Sequence, residues 1–185
     1  MKKLTTLVLA LVMVFSLAAC GNKNSGTTSK EDTNKTEKPK TVTIKSFNAN
    51  NEETDLEVPY DAQRIAVMDM AALDILDSLG LGDRVVGSSS TSLDYLQEYV
   101  TNDEIVDLGT IKEADMEAVM SCEPDVIFIG GRLAQSYDAL SEIAPVVYLS
   151  TDTEIGLVKS VEKNAKTIAS MFGVEDDAVS YTHLR

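Results

Sequence analysis

The chain has 185 residues, of which 44% are hydrophobic, and its formal net charge at pH 7 is -14. That hydrophobic fraction is enough for a buried core and excludes a wholly disordered chain. A chain this acidic repels phosphate backbones, so we expect no nucleic acid partner.

The first predicted element is a secretory signal peptide over residues 1–19. Lys2 and Lys3 precede an apolar run over residues 4–17, which is too short for a membrane-spanning helix. The small residues before Cys20 resemble the bacterial lipobox. This resemblance implies cleavage before Cys20 and a two-chain lipid on its sulfur, which would anchor the protein stably in a membrane. The alternative is a plain signal peptide followed by a chance cysteine.

Residues 20–40 are polar and of low complexity, and they predict a tether behind the lipidated cysteine. We therefore expect the mature protein at the extracytoplasmic face of the cell membrane, and a long tether favours a single-membrane bacterium. If Cys20 is lipidated, Cys122 has no partner for an intramolecular disulfide, because the chain has two cysteines. The apolar helical surroundings of Cys122 predict a buried thiol rather than a reactive one.

Beyond the tether, short apolar runs alternate with amphipathic ones. Strands are predicted, in chain order, over residues 41–47, 55–60, 64–68, 84–87, 104–109, 125–130 and 146–149, the first two as a hairpin. Helices are predicted from Asp69 to Gly80 and over residues 92–100, 113–122, 134–143 and 154–172.

Periodicity also predicts which side of each helix is buried. Asp69 is expected to cap the first helix and Gly80 to end it. In the second helix, Leu93, Leu96 and Val100 are expected to point inward. Met116, Val119 and Met120 recur at helical spacing in the third helix. In the last helix a single apolar face is formed by Ile155, Val158, Val161, Ala165, Ile168 and Phe172.

This alternation predicts an α/β fold, a three-layer lobe around a largely parallel central sheet. Ligands of such sheets bind at the carboxyl ends of the strands. Arg132 follows the predicted strand 125–130, and Gly130 and Gly131 would let the chain turn there without a Cβ clash. We therefore expect Arg132 at the ligand edge, and the alternative is a solvated surface arginine.

The sequence offers little for catalysis or for metal binding. His183 is the single histidine, so a nucleophile–histidine arrangement and a zinc site of paired histidines or cysteines are both disfavoured. No phosphate-binding glycine motif is present. Asp69 and Asp107 are the candidate acid–base groups of an α/β enzyme anchored at the surface, which stays a rival from another class. We predict no catalytic residue, no protein-bound metal and no cofactor.

Three stretches, residues 64–87, 109–132 and 137–153, resemble the iron-siderophore substrate-binding lipoproteins of ABC importers. The most specific part is "EPDVIFIGGR", residues 123–132. The nearest branch takes ferric catecholate and mixed catecholate–carboxylate siderophores such as petrobactin. The resemblance implies a binding protein, not an enzyme, with two α/β lobes joined by one long helix. Residues 41–179 would form the first lobe, ending where the interlobe helix starts.

The resemblance also implies roles for particular residues. The ligand would be an anionic ferric complex whose iron is coordinated by the siderophore and not by the protein. We expect ligand contacts from Arg132, Gly131, Met70, Ser90 and Lys112. Many relatives carry a Pro-Lys pair in the loop that is here residues 87–93, which has no cation, and Lys112 on the next loop is a candidate substitute.

Glu117 is the residue expected to dock on basic residues of the ABC permease, and the alternative is an ordinary exposed glutamate. We expect a monomer. Rival readings are haem, for which Met68, Met70 or Tyr95 could be axial ligands, or cobalamin on the same fold, and a structural adhesin lobe. Residues 180–185 break the helical pattern, and we predict that they are a non-native tail that replaces a second lobe.

Overall fold

The computed structural model describes residues 38–178. The predicted signal peptide, Cys20, most of the tether and the predicted tail with His183 lie outside the described residues. Within this range, no helix has both the length and the apolar character that a membrane span requires.

The described chain alternates strands and helices after an amino-terminal hairpin. The strands are β1 (Thr41–Phe47), β2 (Glu53–Pro59), β3 (Ile65–Met68), β4 (Val85–Ser88), β5 (Val106–Asp107), β6 (Gly109–Thr110), β7 (Glu113–Ala114), β8 (Val126–Ile129) and β9 (Val146–Tyr148). The helices are α1 (Met70–Ser78), α2 (Glu98–Thr101), α3 (Met116–Ser121), α4 (Tyr137–Ser141) and α5 (Leu157–Phe172). Three 3₁₀ helices cover Gly82–Arg84, Asp94–Leu96 and Gly131–Ser136, and residues 175–178 are helical.

The centre of the fold is a five-stranded parallel sheet in the order β5-β4-β3-β8-β9. The predicted α/β lobe with a largely parallel sheet is therefore confirmed. Met68 at the end of β3 pairs with Ile129 at the end of β8, and Ile129 pairs with Tyr148 at the end of β9. This register aligns the carboxyl ends of three neighbouring strands, so the loops that follow them share one edge of the sheet.

Both faces of this sheet are covered, which makes three layers. In β3, Ile65 and Val67 pack into a core cluster with α1 and α5. The alternating residues Ala66 and Met68 pack into a second cluster with α3 and α4 on the opposite face. All four side chains are fully buried, which explains why the strand reads as a continuous apolar run.

The predicted amino-terminal hairpin is also confirmed, since β1 and β2 pair antiparallel as a separate two-stranded sheet. The hairpin is tied to β9. The Ser46 hydroxyl accepts the backbone N–H of Tyr148 at 2.9 Å, and the Tyr148 hydroxyl donates to Asn51 Oδ1 at 2.7 Å. The turn of the hairpin therefore lies at the carboxyl end of the central sheet. A second small hairpin, β6–β7, was not predicted.

The predicted inward face of the segment 92–100 is wrong in two of its three residues. The chain forms a 3₁₀ turn and the short α2, in which Leu96 is buried while Leu93 and Val100 are 38% and 42% exposed. Tyr99 takes the inward position because its hydroxyl donates to Asp77 Oδ1 on α1 at 2.6 Å. A long-range hydrogen bond thus decides the orientation of this short segment.

The predicted helix 154–172 begins later, at Leu157. Gly156, with a positive φ of 87°, precedes the first turn. Ala165, Ile168 and Phe172 form the buried face as predicted, but Ile155 and Val158 are exposed. The predicted helix 134–143 is likewise a 3₁₀ segment, Gly131–Ser136, followed by the short α4. In α3, Val119 is buried whereas Met120 is 52% exposed.

Candidate ligand-binding site

Two cavities open at the carboxyl edge of the parallel sheet. The first, of about 370 Å³, lies at α1 and α5, and we call it the α1–α5 cavity. It is lined by Asp69, Ala71, Ala72, Ile75, Gly131, Arg132, Leu149, Ser150, Thr151, Asn164 and Ile168. The second, of about 230 Å³, is called the methionine cavity. It is lined by Met68, Asp69, Met70, Ala71, Ile111, Gly130, Gly131 and Arg132.

Arg132 lines both cavities. It stands in the first turn of the 3₁₀ helix that directly follows β8, so the end of a buried strand positions it. Its side chain is exposed and forms no hydrogen bond or ion pair with any part of the described chain, residues 38–178. A guanidinium is always protonated and carries five N–H donors, which here remain available to a ligand.

Asp69 also lines both cavities and is fixed by the backbone. It is the N-cap of α1, as predicted, and its Oδ1 accepts the backbone N–H of Ala72 at 2.8 Å. Burial raises the pKa of the Asp69 carboxyl, and the N–H groups of Ala72 and Ala71 and the charge of Arg132 oppose that rise. The edge therefore presents a held carboxylate beside an unpaired guanidinium.

The two glycines before Arg132 are needed for close approach and not for a special turn. Gly130 has a φ of -101°, and neither glycine has a positive φ, so no left-handed backbone requires a glycine here. The predicted reason, avoidance of a Cβ clash, agrees with the space around both positions. A Cβ on Gly130 would overlap Asp69 Oδ2, and one on Gly131 would lie 2.9 Å from the Tyr148 hydroxyl. The glycines make room for two side chains from neighbouring strands.

The structure brings together three of the five predicted ligand residues. Met70, Gly131 and Arg132 line the methionine cavity. Ser90 and Lys112 are exposed on adjacent loops and line neither cavity. The Ser90 N–H donates to the Gly109 carbonyl at 2.9 Å, which places that loop beside the β6–β7 hairpin. The roles of all five residues stay predictions.

Sequence reasoning missed the polar wall of the α1–α5 cavity, which is formed by Ser150, Thr151 and Asn164. Asn164 Nδ2 donates to the Ser150 carbonyl at 3.3 Å, and the Ser160 hydroxyl accepts the N–H of Asp152 at 2.7 Å. Both bonds hold the loop after β9 against α5. The strand-end rule that selected Arg132 could have selected Ser150 and Thr151, but nothing local identifies Asn164.

Other predicted positions lie away from these cavities. Glu117 is exposed on α3, and its carboxylate has no partner among residues 38–178. Tyr95 is 57% exposed and lines neither cavity. Met68 is the exception, because it lines the methionine cavity, although its side chain is fully buried. Cys122 is buried as predicted, and burial raises the pKa of its thiol, which disfavours the reactive thiolate.

Of the two acid–base candidates, Asp69 lines both cavities, whereas Asp107 lines neither. Across the described range, 38–178, no three or more His, Cys, Asp or Glu residues are grouped to hold a metal ion. The arrangement suits the binding of a ligand that carries negative charge, through charge-assisted hydrogen bonds from Arg132.

Several known proteins with a similar sequence and fold are binding proteins. Residues 65–184 match the family model described as "Periplasmic binding protein". The chain is 36% identical over 176 residues to the petrobactin-binding protein YclQ of Bacillus subtilis, covering 95% of this chain and 53% of the relative. It is 31% identical over 185 residues to the iron(3+)-hydroxamate-binding protein YxeB of the same organism, covering 98% and 51%.

Solved structures agree with the sequence relatives. The crystal structure of YclQ superposes with a TM-score of 0.69 at 32% identity, covering 77% of this chain and 48% of that chain. The catecholate-siderophore binding protein VctP of Vibrio cholerae gives a TM-score of 0.67 at 27% identity, covering 77% and 50%. The chain spans about half the length of the curated relatives it matches.

The family match covers the parallel sheet, both cavities and Arg132. It confirms the resemblance noted in the sequence, and it is a match to binding proteins rather than to enzymes. This chain belongs to the periplasmic binding protein family, and its relatives include proteins named for the binding of petrobactin and of catecholate siderophores.

Proposed function

We propose that this chain is the first lobe of a membrane-anchored, extracytoplasmic protein that captures a ferric siderophore of the catecholate or mixed catecholate–carboxylate type. It delivers this ligand to an ABC permease and performs no chemistry on it. Residues 41–179 are the lobe, and a second lobe completes the cleft.

The observation that carries this proposal is the unpaired guanidinium of Arg132. It stands where two cavities meet, at the edge of a parallel sheet where ligands of such folds bind. A ferric tris-catecholate is a polyanion, and a guanidinium donates charge-assisted hydrogen bonds to metal-bound oxygens. It can also lie over a catechol ring. The apolar side chains of Met70 and Ile111 suit the flat face of such a ring.

The assignment to the catecholate class is more specific than membership of the family. It is supported by the names of YclQ and VctP, whereas YxeB carries the name of a hydroxamate-binding protein. Ferric tris-hydroxamates are neutral and would gain less from Arg132. The charge-assisted hydrogen bonds that Arg132 can donate are therefore the physical reason to prefer the catecholate class.

The anchor and the docking surface complete the proposal. Cys20 carries the lipid, residues 20–40 hold the lobe away from a single-membrane cell surface, and the protein acts as a monomer. Glu117 presents an exposed carboxylate, without a partner in residues 38–178, to basic residues of the permease. One such contact would align the lobe for release of its ligand.

The test is isothermal titration of the full-length protein with a ferric tris-catecholate, a ferric tris-hydroxamate and haem under identical conditions. We expect the catecholate complex to bind most tightly. A preference for the hydroxamate would replace the catecholate assignment by a hydroxamate siderophore. A preference for haem would overturn the siderophore assignment. Mass spectrometry of the mature amino terminus tests the lipid on Cys20.

A further inference from the structure

The two cavities at the carboxyl edge have a balanced charge. Of the described residues that line them, Asp69 and Arg132 alone are charged, and each lines both cavities. The remaining lining residues are apolar or neutral and polar. An anion that approaches Arg132 therefore also approaches a carboxylate, which is not what a site built purely for anion attraction would present.

The position of Asp69 follows from the strand register. Met68 and Ile129 are paired as the last residues of β3 and β8, so Asp69 and Gly130 are the first residues beyond paired strand ends. The absence of a side chain at Gly130 leaves space for Asp69 Oδ2. The other oxygen, Oδ1, accepts the N–H of Ala72, so the carboxylate cannot swing away without losing the helix cap.

We infer that Asp69 is a specificity-determining residue of this edge, a fixed carboxylate that counters Arg132 and lowers the affinity of the site for anionic ferric complexes. This inference rests on the proposed function. Its consequence is selectivity, because Asp69 lowers the affinity for an anionic complex and not for a neutral one, and so limits how strongly the site prefers the anionic class.

Ligand binding at this edge should be coupled to a proton. Arg132 beyond β8 and Tyr148 of β9 are the titratable groups that face Asp69, and the lining residues of α1 and α5 are neutral. Burial already raises the pKa of the Asp69 carboxyl, and a nearby anion raises it further. Affinity is therefore highest when Asp69 is protonated, and it falls as the pH rises from the pKa of the free protein through that of the complex.

The experiment compares the full-length wild-type protein with its Asp69→Asn variant in titrations with ferric tris-catecholate and with neutral ferric tris-hydroxamate. Asparagine caps helices as well as aspartate, so α1 should be retained, and thermal unfolding checks this. Removing one negative charge near a polyanion in a partly solvated site should tighten catecholate binding about fivefold to tenfold. Hydroxamate affinity should not change, because that complex carries no net charge.

Asp115→Asn is the matched control. Asp115 is also an N-cap aspartate, whose Oδ1 accepts the N–H groups of Glu117 and Ala118 on α3, and it lines neither cavity. This variant should leave both affinities unchanged. The ratio of the Asp69→Asn and wild-type affinities should also shrink towards one as the pH is lowered, because Asp69 becomes protonated and loses its charge. Protonation of the ligand cancels from this ratio, since it is common to both proteins.

Each outcome bears on the inference. Unchanged or weaker catecholate binding by Asp69→Asn, with wild-type binding intact, overturns the role of Asp69 and leaves the proposed function standing. Equal tightening of both ferric complexes also overturns it, because the effect would then be steric. Absence of catecholate binding by the wild-type protein overturns the proposed function and this inference together.

Discussion

The two edges of the parallel sheet both carry cavities, but their charges differ. At the amino-terminal edge, before β4 and β5, lies the larger cavity, of about 690 Å³. The carboxylates of Asp77, Asp83, Glu98 and Glu104 line it, and no lysine or arginine among the described residues does. The carboxyl edge has smaller cavities, yet it presents Arg132.

The arginines of the two edges are used differently. Arg84 donates to Asp61 Oδ1 at 2.7 Å and lies over the Phe172 ring, and Arg64 donates to the Glu123 carbonyl at 2.9 Å. Both cations at the amino-terminal edge therefore hold the fold together. Arg132 has no such bond within residues 38–178. A guanidinium without a hydrogen bond or ion pair in residues 38–178, rather than cavity volume, distinguishes the carboxyl edge, which we propose as the ligand edge.

The sharpest test of this difference compares alanine substitutions of two arginines, one at each edge of the sheet. Arg132→Ala in the full-length protein should weaken ferric catecholate binding by roughly 2–3 kcal/mol, the scale of a charge-assisted contact, and leave the unfolding temperature unchanged. Arg84→Ala should lower the unfolding temperature and leave the affinity for the ferric catecholate unchanged. Calorimetric titration and thermal unfolding measure the two effects, and unchanged affinity of Arg132→Ala would remove it from the site.

A second test uses two glycines that each face a tyrosine hydroxyl. At the carboxyl edge, Gly131 faces Tyr148, which donates to Asn51, and at the amino-terminal edge Gly82 faces Tyr99, which donates to Asp77. An added Cβ should cost about 1–3 kcal/mol of stability at either position, because it crowds a hydrogen-bonded ring. Gly131→Ala alone should also reduce affinity, since it displaces the segment that carries Arg132. Equal affinities of the two variants would contradict the proposed site.

A third test measures how the stability of the protein depends on pH. The carboxyl groups of Asp61 and Asp69, one at each edge, should have opposite effects. Hydrogen bonding to Arg84 lowers the pKa of Asp61, so Asp61 stabilises the fold above its unfolded pKa and this stability is lost as the pH falls through the lower, folded value. Asp69 has the opposite effect on stability, because burial raises its pKa in the folded protein. Its ionisation therefore lowers the stability of the fold as the pH rises through this raised pKa.

Asp61→Asn should therefore destabilise the protein at neutral pH by about 0.5–1 kcal/mol, and Asp69→Asn should stabilise it. Both differences from the wild-type protein should vanish in acid, where the carboxyl groups are protonated. Chemical unfolding at a series of pH values measures them. A loss of stability in Asp69→Asn at neutral pH would show that the carboxylate is needed for the fold.

The smallest effect on binding is expected at Glu117, which belongs to neither edge cavity. Glu117→Ala should leave affinity intact and slow uptake of the ferric complex, because it removes the carboxylate that we propose docks on the permease. Glu104→Ala, which removes an exposed carboxylate in the amino-edge cavity, is the control and should transport normally. Equal uptake by Glu117→Ala would remove this residue from the docking role.

Much of the fold follows from local signals. Continuous apolar runs marked β3, β8 and β9 correctly, because strands covered on both faces have no polar side. Asp69 was identified as a cap from its neighbours in the chain. The exposed Leu93 and Val158 show where this reasoning fails: a segment of one or two turns has several apolar residues, and its partner surface selects which are buried.

The sequence by itself determined that a buried strand is followed by "GGR", two glycines and a cation, since these are properties of adjacent residues. Only the tertiary structure decided what surrounds that cation. The pairing of β3 with β8 places Asp69 beside Gly130, and the packing of α5 brings Asn164 to the same cavity. The Tyr148–Asn51 hydrogen bond joins residues 97 positions apart. Such contacts depend on which strands pair and in what register, which no local pattern encodes.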